Sequence, residues 1–225
     1  TFLYYATEIK HYSFEFSSSL FLLITYFSYL NKKYLKGFFF SIIGLMLGFS
    51  NIIALGVIVG FILLYKIKNK ELDIKFIKYF SASIALLLPT YLGMKYLTES
   101  QISYDVYSSK GLIGDTIHLF KVVYGAHGIY LTLMIASLLP AALLSAKNEK
   151  ILYTFSLFYL CLIFFIFILK ITSFYPVISS RHLYWLSPFS ITLVALTFQM
   201  LINKYRLNKN ALLFACIFFF IINSY

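Results

Sequence analysis

The sequence predicts an all-α, polytopic integral membrane helix bundle that contains one split pair of short helices. Three observations carry this expectation. Of the 225 residues, 61% are hydrophobic and 12% charged, whereas soluble domains hold roughly 45–50% apolar and about 25% charged residues. Apolar runs recur along the chain, several of them near the ~20 residues that a spanning helix needs. The basic residues lie in short loops between those runs. That is the membrane pattern and not a basic groove, so the net charge of +11 implies membrane lipid and no nucleic-acid partner. The whole of 1–225 reads as a single transmembrane domain, a piece of a longer protein with N-terminal spans and a first outer loop upstream.

The elements follow in order. The first span covers about Tyr12 to Tyr29 and ends at the basic loop 31–36. Gly37 to Tyr65 is too long for one ordinary span and too short for two. Its middle, Gly48-Phe49-Ser50-Asn51, is a natural break, and each side carries a small-xxx-small pair that lets helices approach closely: Gly44 with Gly48, and Gly56 with Gly60. Two short helices that enter and return on the same side are expected. A lysine-rich stretch precedes a span over Phe76–Tyr96, which Pro89 is expected to kink. After a polar loop over 98–116, Ile117–Tyr124 reads as a short amphipathic helix in the interface. Spans over Gly128–Ala146 and Ile151–Leu169 are joined by a tight turn. A polar corner at 172–181 leads to a span over Leu183–Ile202, and a last, incomplete span begins near Ala211. Cys161 and Cys216 each stand alone in an apolar run and read as buried lipid-phase packing residues.

Charge sets the orientation. Placing the loops near 31–36, 66–78, 147–150 and 203–210 on one side collects 13 of the 19 Lys and Arg. Five of the eight acidic residues fall on the other side. The positive-inside rule puts the basic loops in the cytoplasm, provided that the Gly37–Tyr65 pair returns to its starting side. Glu8, Lys10, the 98–127 region and Arg181 then face outward together. A bacterial inner-membrane protein of the cell envelope, with its active face outward, is the expected setting.

Two polar clusters meet on that face. Tyr4-Tyr5-Ala6-Thr7-Glu8-Ile9-Lys10-His11-Tyr12-Ser13-Phe14-Glu15 packs charges beside an apolar run. Charges in that position normally face a protein interior or a wet cavity. On a helix, Glu8, Tyr12 and Glu15 share a face, and His11 pairs with Glu15 at i+4. The second cluster is Arg181-His182-Leu183-Tyr184-Trp185-Leu186-Ser187-Pro188. An arginine beside a helix N-terminus seats a phosphate well. The alternative reading has Arg181 snorkelling to headgroups, with Tyr184 and Trp185 in an aromatic belt. The four histidines lack metal-ligand spacing. Asp105 and Asp115 read as solvated loop residues. No Walker, G-x-S-x-G or Rossmann motif is present. The near-absence of mid-span ionisable residues argues against an ion-coupled transporter.

The first cluster resembles the segment that follows the third span in GT-C glycosyltransferases of the protein-mannosyltransferase and aminoarabinose-transferase type. Gly44-Leu45-Met46-Leu47-Gly48-Phe49-Ser50 resembles the glycine-rich short helix that comes next in those enzymes. The Arg181–Pro188 stretch resembles their late Arg-Tyr-x-x-x-x-Pro. Order and separation match across nearly the whole chain. Three departures stand out: Lys10 replaces an arginine, His11 a proline, and His182 a tyrosine.

The resemblance implies inverting transfer of a sugar from a polyprenyl-phosphate-linked donor to a lipid, glycan or protein acceptor. It places the general base, and any divalent metal, upstream of this chain. It makes Lys10 and Arg181 the candidates for holding the lipid phosphate. Glu8, His11, Tyr12, His182 and Tyr184 are supporting polar groups. The rival readings are a polysaccharide polymerase or flippase acting on lipid-linked glycans, and a non-enzymatic transporter subunit.

Overall fold

The computed structural model describes residues 2–48, 51–99, 111–144, 149–172 and 185–205. Within these ranges, the side chains of 2–13, 93–99, 123–134 and a few further positions fall outside the description. All regular structure among the described residues is helical: α1 (Phe2–Leu30), α2 (Tyr34–Leu47), α3 (Asn51–Lys68), α4 (Ile74–Glu99), α5 (Gly111–Leu144), α6 (Lys150–Ile171) and α7 (Ser187–Tyr205). Two of them, α3 and α6, are long and apolar enough to cross a membrane, and the 14–30 part of α1 and α2 are shorter apolar helices.

The expected break in the Gly37–Tyr65 run is present. Helix α2 ends at Leu47, Gly48 is extended with φ −161° and ψ 115°, and α3 starts at Asn51. The two helices form an antiparallel hairpin against α1. Going up α2, Gly37 lies against Thr25 and Ser28, Gly44 against Leu22 and Ser18, and Gly48 against Ser18. Going back down α3, Asn51 meets Ser18 and Ser19, Phe61 meets Tyr26, and Lys66 lies 5.3 Å from the Tyr34 ring at the start of α2. Entry and return therefore lie at one end of the bundle. With 14 and 18 residues at 1.5 Å each, the arms are about 21 and 27 Å long.

That end is also where α1 stops, α4 starts and α6 starts. Tyr29 and Tyr34 contact Phe76 ring to ring, and Lys150 Nζ stands 5.9 Å from the Tyr65 ring. Lys32, Lys33, Lys36, Lys68, Lys70, Lys75, Lys78 and Lys150 are all exposed there. It is the lysine-rich end. Helix α6 runs up the bundle from it, stacking Phe155 on Phe27 and Phe158 on Tyr26. Helix α7 joins through Tyr159–Ser190 and Phe158–Phe189.

Three expectations change. The separate interfacial helix over Ile117–Tyr124 and the span over Gly128–Ala146 are one helix, α5, of 34 residues. Gly125 and Gly128 weaken a helix without stopping it, and the only proline, Pro140, lies near the other end. Gly56 and Gly60 meet nothing within 4 Å among the described residues, so that small-residue pair closes no described interface. Cys161 is exposed on α6 rather than buried. Pro89 lies inside α4, which continues through it.

Small polar side chains share the interior with the apolar core, and many large apolar side chains lie outside. Ser18, Ser19, Thr25, Ser28, Ser41, Asn51, Ser83, Ser190 and Thr197 are buried. Large apolar side chains such as Phe14, Leu20, Met46, Leu88, Phe164 and Phe165 are exposed. Small polar residues let helix backbones approach and bond across the contact.

Candidate functional site

The break between α2 and α3 builds a polar knot against the middle of α1. Ser18 and Ser19 sit on adjacent positions of α1, and Asn51 is the first residue of α3. Asn51 Nδ2 donates to Ser18 Oγ at 2.6 Å, and Ser19 Oγ donates to Asn51 Oδ1 at 2.9 Å. Ser18 Oγ in turn donates to the Gly44 carbonyl. The Glu15 carbonyl, also 2.9 Å from Ser19 Oγ, shares that hydroxyl's one proton with Asn51 Oδ1 and accepts from Asn51 Nδ2 at 3.5 Å. All of these side chains, Glu15 included, are buried. Irregular backbone away from water needs such partners, since each unmet polar group costs several kcal/mol in hydrocarbon.

At the far end from the lysines, Asp115 and Lys170 form a buried ion pair at 3.8 Å, with side-chain exposures of 0% and 6%. Asp115 lies in the second turn of α5 and Lys170 in the last turn of α6. This corrects the reading of Asp115 as a solvated loop residue. The longer α5 draws it into the bundle, where a lysine compensates its charge.

At the lysine-rich end, Lys66 is 1% exposed. Its Nζ lies 5.3 Å from the ring centroids of both Tyr34 and Phe76 and has no hydrogen-bond partner. By sequence alone it belongs with the loop lysines of 66–78. Asp73 closes this corner: its Oδ1 accepts the Phe76 N–H, which caps α4, and its Oδ2 accepts the Tyr34 hydroxyl at 2.8 Å. The Phe76 N–H bond holds the Asp73 carboxyl below its ordinary pKa, with help from Tyr34 and Lys66 and against a contribution from burial.

Of the residues expected to hold a lipid phosphate, Lys10 lies in the interior of α1, with Glu8, His11 and Tyr12 on neighbouring positions of the same helix. Lys10 therefore lies at no helix N-terminus among the described residues. Its depth does fit. Twenty residues separate Lys10 from Leu30, about 30 Å along a helix and the thickness of a bilayer's hydrocarbon core. Arg181, His182 and Tyr184 lie outside the described residues. Trp185, in the same motif, is fully buried against Phe189 and not in an interfacial belt. Reasoning from sequence missed Ser18, Ser19 and Asn51 as a unit. The available signal was three amide or hydroxyl side chains inside otherwise apolar runs.

No protein-family model, curated protein or solved structure matches this chain.

Proposed function

We propose that the chain is the donor-binding, multi-pass membrane part of a glycosyltransferase. It transfers a sugar from a polyprenyl-phosphate-linked donor at the outer face, while the general base is supplied by sequence outside this chain. The observation that carries the reading is the short-helix hairpin α2–α3, broken at the end of the Gly44–Gly48 motif and packed on α1. It supports the inferred topology, in which the lysine loops share the cytoplasmic side and Lys10 stands one hydrocarbon thickness above them. The apolar outer surface and the buried hydroxyls support immersion in lipid. The transfer itself rests on the order of the three motifs.

Lys10 and Arg181 hold the donor phosphate, and their charge stabilises the departing phosphate in the transition state. Losing one charge-assisted contact of about 1.5–3 kcal/mol lowers donor use by roughly one to two orders of magnitude. In the full-length protein, Lys10→Ala and Arg181→Ala should therefore each cut turnover at limiting donor. Arg181→Lys should rescue only part of the loss, because lysine cannot grip two oxygens at once. Wild-type rates for both alanine variants would place the phosphate elsewhere and favour snorkelling.

A further inference from the structure

The connection between α3 and α4, residues 66–78, is rigid and unusually rich in unpaired charge. Its backbone is fixed at both ends. Lys70 takes the left-handed conformation (φ 55°), its N–H donates to Ile67 O, and the Glu71 N–H donates to Lys66 O at 2.9 Å, which together close α3. Asp73 then caps α4. Both carboxylates of the segment are engaged within the protein: Glu71 pairs with Lys32 at 3.6 Å, and Asp73 bonds Tyr34 and Phe76. The exposed ammonium groups of Lys68, Lys70 and Lys75, and of Lys33 beside them, meet no carboxylate, hydroxyl or ring among the described residues.

Large aliphatic side chains alternate with these lysines and are open to the surroundings. Ile67 is 50% exposed, Leu72 45%, Ile74 86% and Ile77 50%. A nucleic acid or an acidic peptide would match the lysines but would leave these four side chains against water. A bilayer surface matches both sets. Lysines reach phosphate oxygens at headgroup level while neighbouring aliphatics sink toward the acyl boundary.

We infer that the 66–78 connection, with Lys33, is a docking surface for anionic phospholipid headgroups, with Leu72 and Ile74 as the apolar wedge between the lysines. This rests on the membrane half of the reading above and holds whether or not the chain transfers sugar. Each lysine near an anionic surface contributes enough that three together give about a hundredfold preference for anionic over neutral lipid.

The test is the thermal midpoint of the full-length protein in nanodiscs of phosphatidylcholine alone or with about a third phosphatidylglycerol, a content at which surface charge is substantial. The wild type should melt higher in the anionic discs. Lys68→Gln/Lys70→Gln/Lys75→Gln should remove most of that difference. The matching triple arginine variant should keep it, which separates charge from disrupted folding. Leu72→Ser/Ile74→Ser should lower the midpoint in both kinds of disc, in low and high salt alike, because the wedge is not electrostatic. Equal wild-type midpoints in the two lipids, or a full difference in the triple glutamine variant, would overturn the inference. So would inorganic phosphate reproducing the shift in neutral discs, since the surface would then take a free anion. Resistance to carbonate extraction is scored in parallel. A chain that carbonate strips from vesicles, yet which needs these lysines to bind them, would remove the spanning reading and leave the headgroup surface standing.

Discussion

Asn51 Nδ2 stands 2.6 Å from Ser18 Oγ, and Asn51 Oδ1 accepts from Ser19 Oγ at 2.9 Å, so one amide uses both of its ends on one turn of α1. This pair of bonds fixes where α3 starts relative to α1, and with it the height at which the hairpin turns. Asn51→Leu should destabilise the protein by about 1–3 kcal/mol, since two buried hydroxyls lose a partner. Asn51→Asp keeps the acceptor but loses the donor and should fall at least as far. Thermal unfolding in detergent measures both. A leucine variant as stable as the wild type would mean that the knot does not hold the hairpin.

The glycines of the hairpin separate into two kinds. A Cβ added at Gly44 would meet Leu22 Cδ2 at 2.8 Å and lie 3.4 Å from the Ser18 carbonyl, whereas one at Gly60 meets nothing within 4 Å. Gly44→Ala must push α2 off α1 or move Leu22, at a cost of about 1–3 kcal/mol. Gly60→Ala gains helix propensity of up to about 1 kcal/mol and meets no obstacle. Opposite shifts in melting temperature are expected. Equal shifts would show that α2 and α1 are not in close contact.

Asp115 and Lys170, both buried, tie the start of α5 to the end of α6. Asp115→Asn takes away the carboxylate 3.8 Å from a buried ammonium and should cost about 3–5 kcal/mol. The double variant Asp115→Leu/Lys170→Met removes both charges and should recover most of that loss. Additive losses in the double variant would show that each group depends on other partners more than on this one.

Much of the architecture was legible because it follows from local chemistry. Gly48 and Asn51 interrupt an apolar run, and the chain breaks there. Lysines cluster between runs, and the loops near 31–36 and 66–78 meet at one end with Lys150. What was not legible depends on contacts distant in sequence. Asp115 has the look of a loop residue until α5 is seen to continue through Gly125 and Gly128 and bring it to Lys170, 55 positions away. Lys66 differs from Lys68 and Lys70 in nothing local. Only the meeting of α2, α3 and α4 encloses it. Gly56 and Gly60 carry the same spacing as Gly44 and Gly48, but spacing does not say which face of a helix finds a neighbour. For the expected phosphate site, Lys10 lies within α1, whereas Arg181 lies outside the described residues.

Lys66 is a buried charge with no hydrogen-bond partner, and its energetics fix a sign. Its Nζ is buried without a hydrogen bond, between two rings at 5.3 Å. Each ring contributes up to about 2 kcal/mol once the pair is out of water. Removing an ammonium from water costs several kcal/mol per ion even after relaxation, and Asp73 and Glu71 are both already engaged elsewhere. The cost exceeds the gain. Lys66→Met keeps the length and apolar stem and should therefore stabilise the protein by about 1–2 kcal/mol. Phe76→Leu should act in the opposite direction, because it removes ring contacts to Tyr29, Tyr34 and Phe80 as well as to the ammonium. In Lys66→Met the Phe76→Leu penalty should shrink by the value of one cation–ring contact, which a double-mutant cycle reads directly. A Lys66→Met variant less stable than the wild type would reverse the balance and make the aromatic box a net anchor for the junction of α2, α3 and α4.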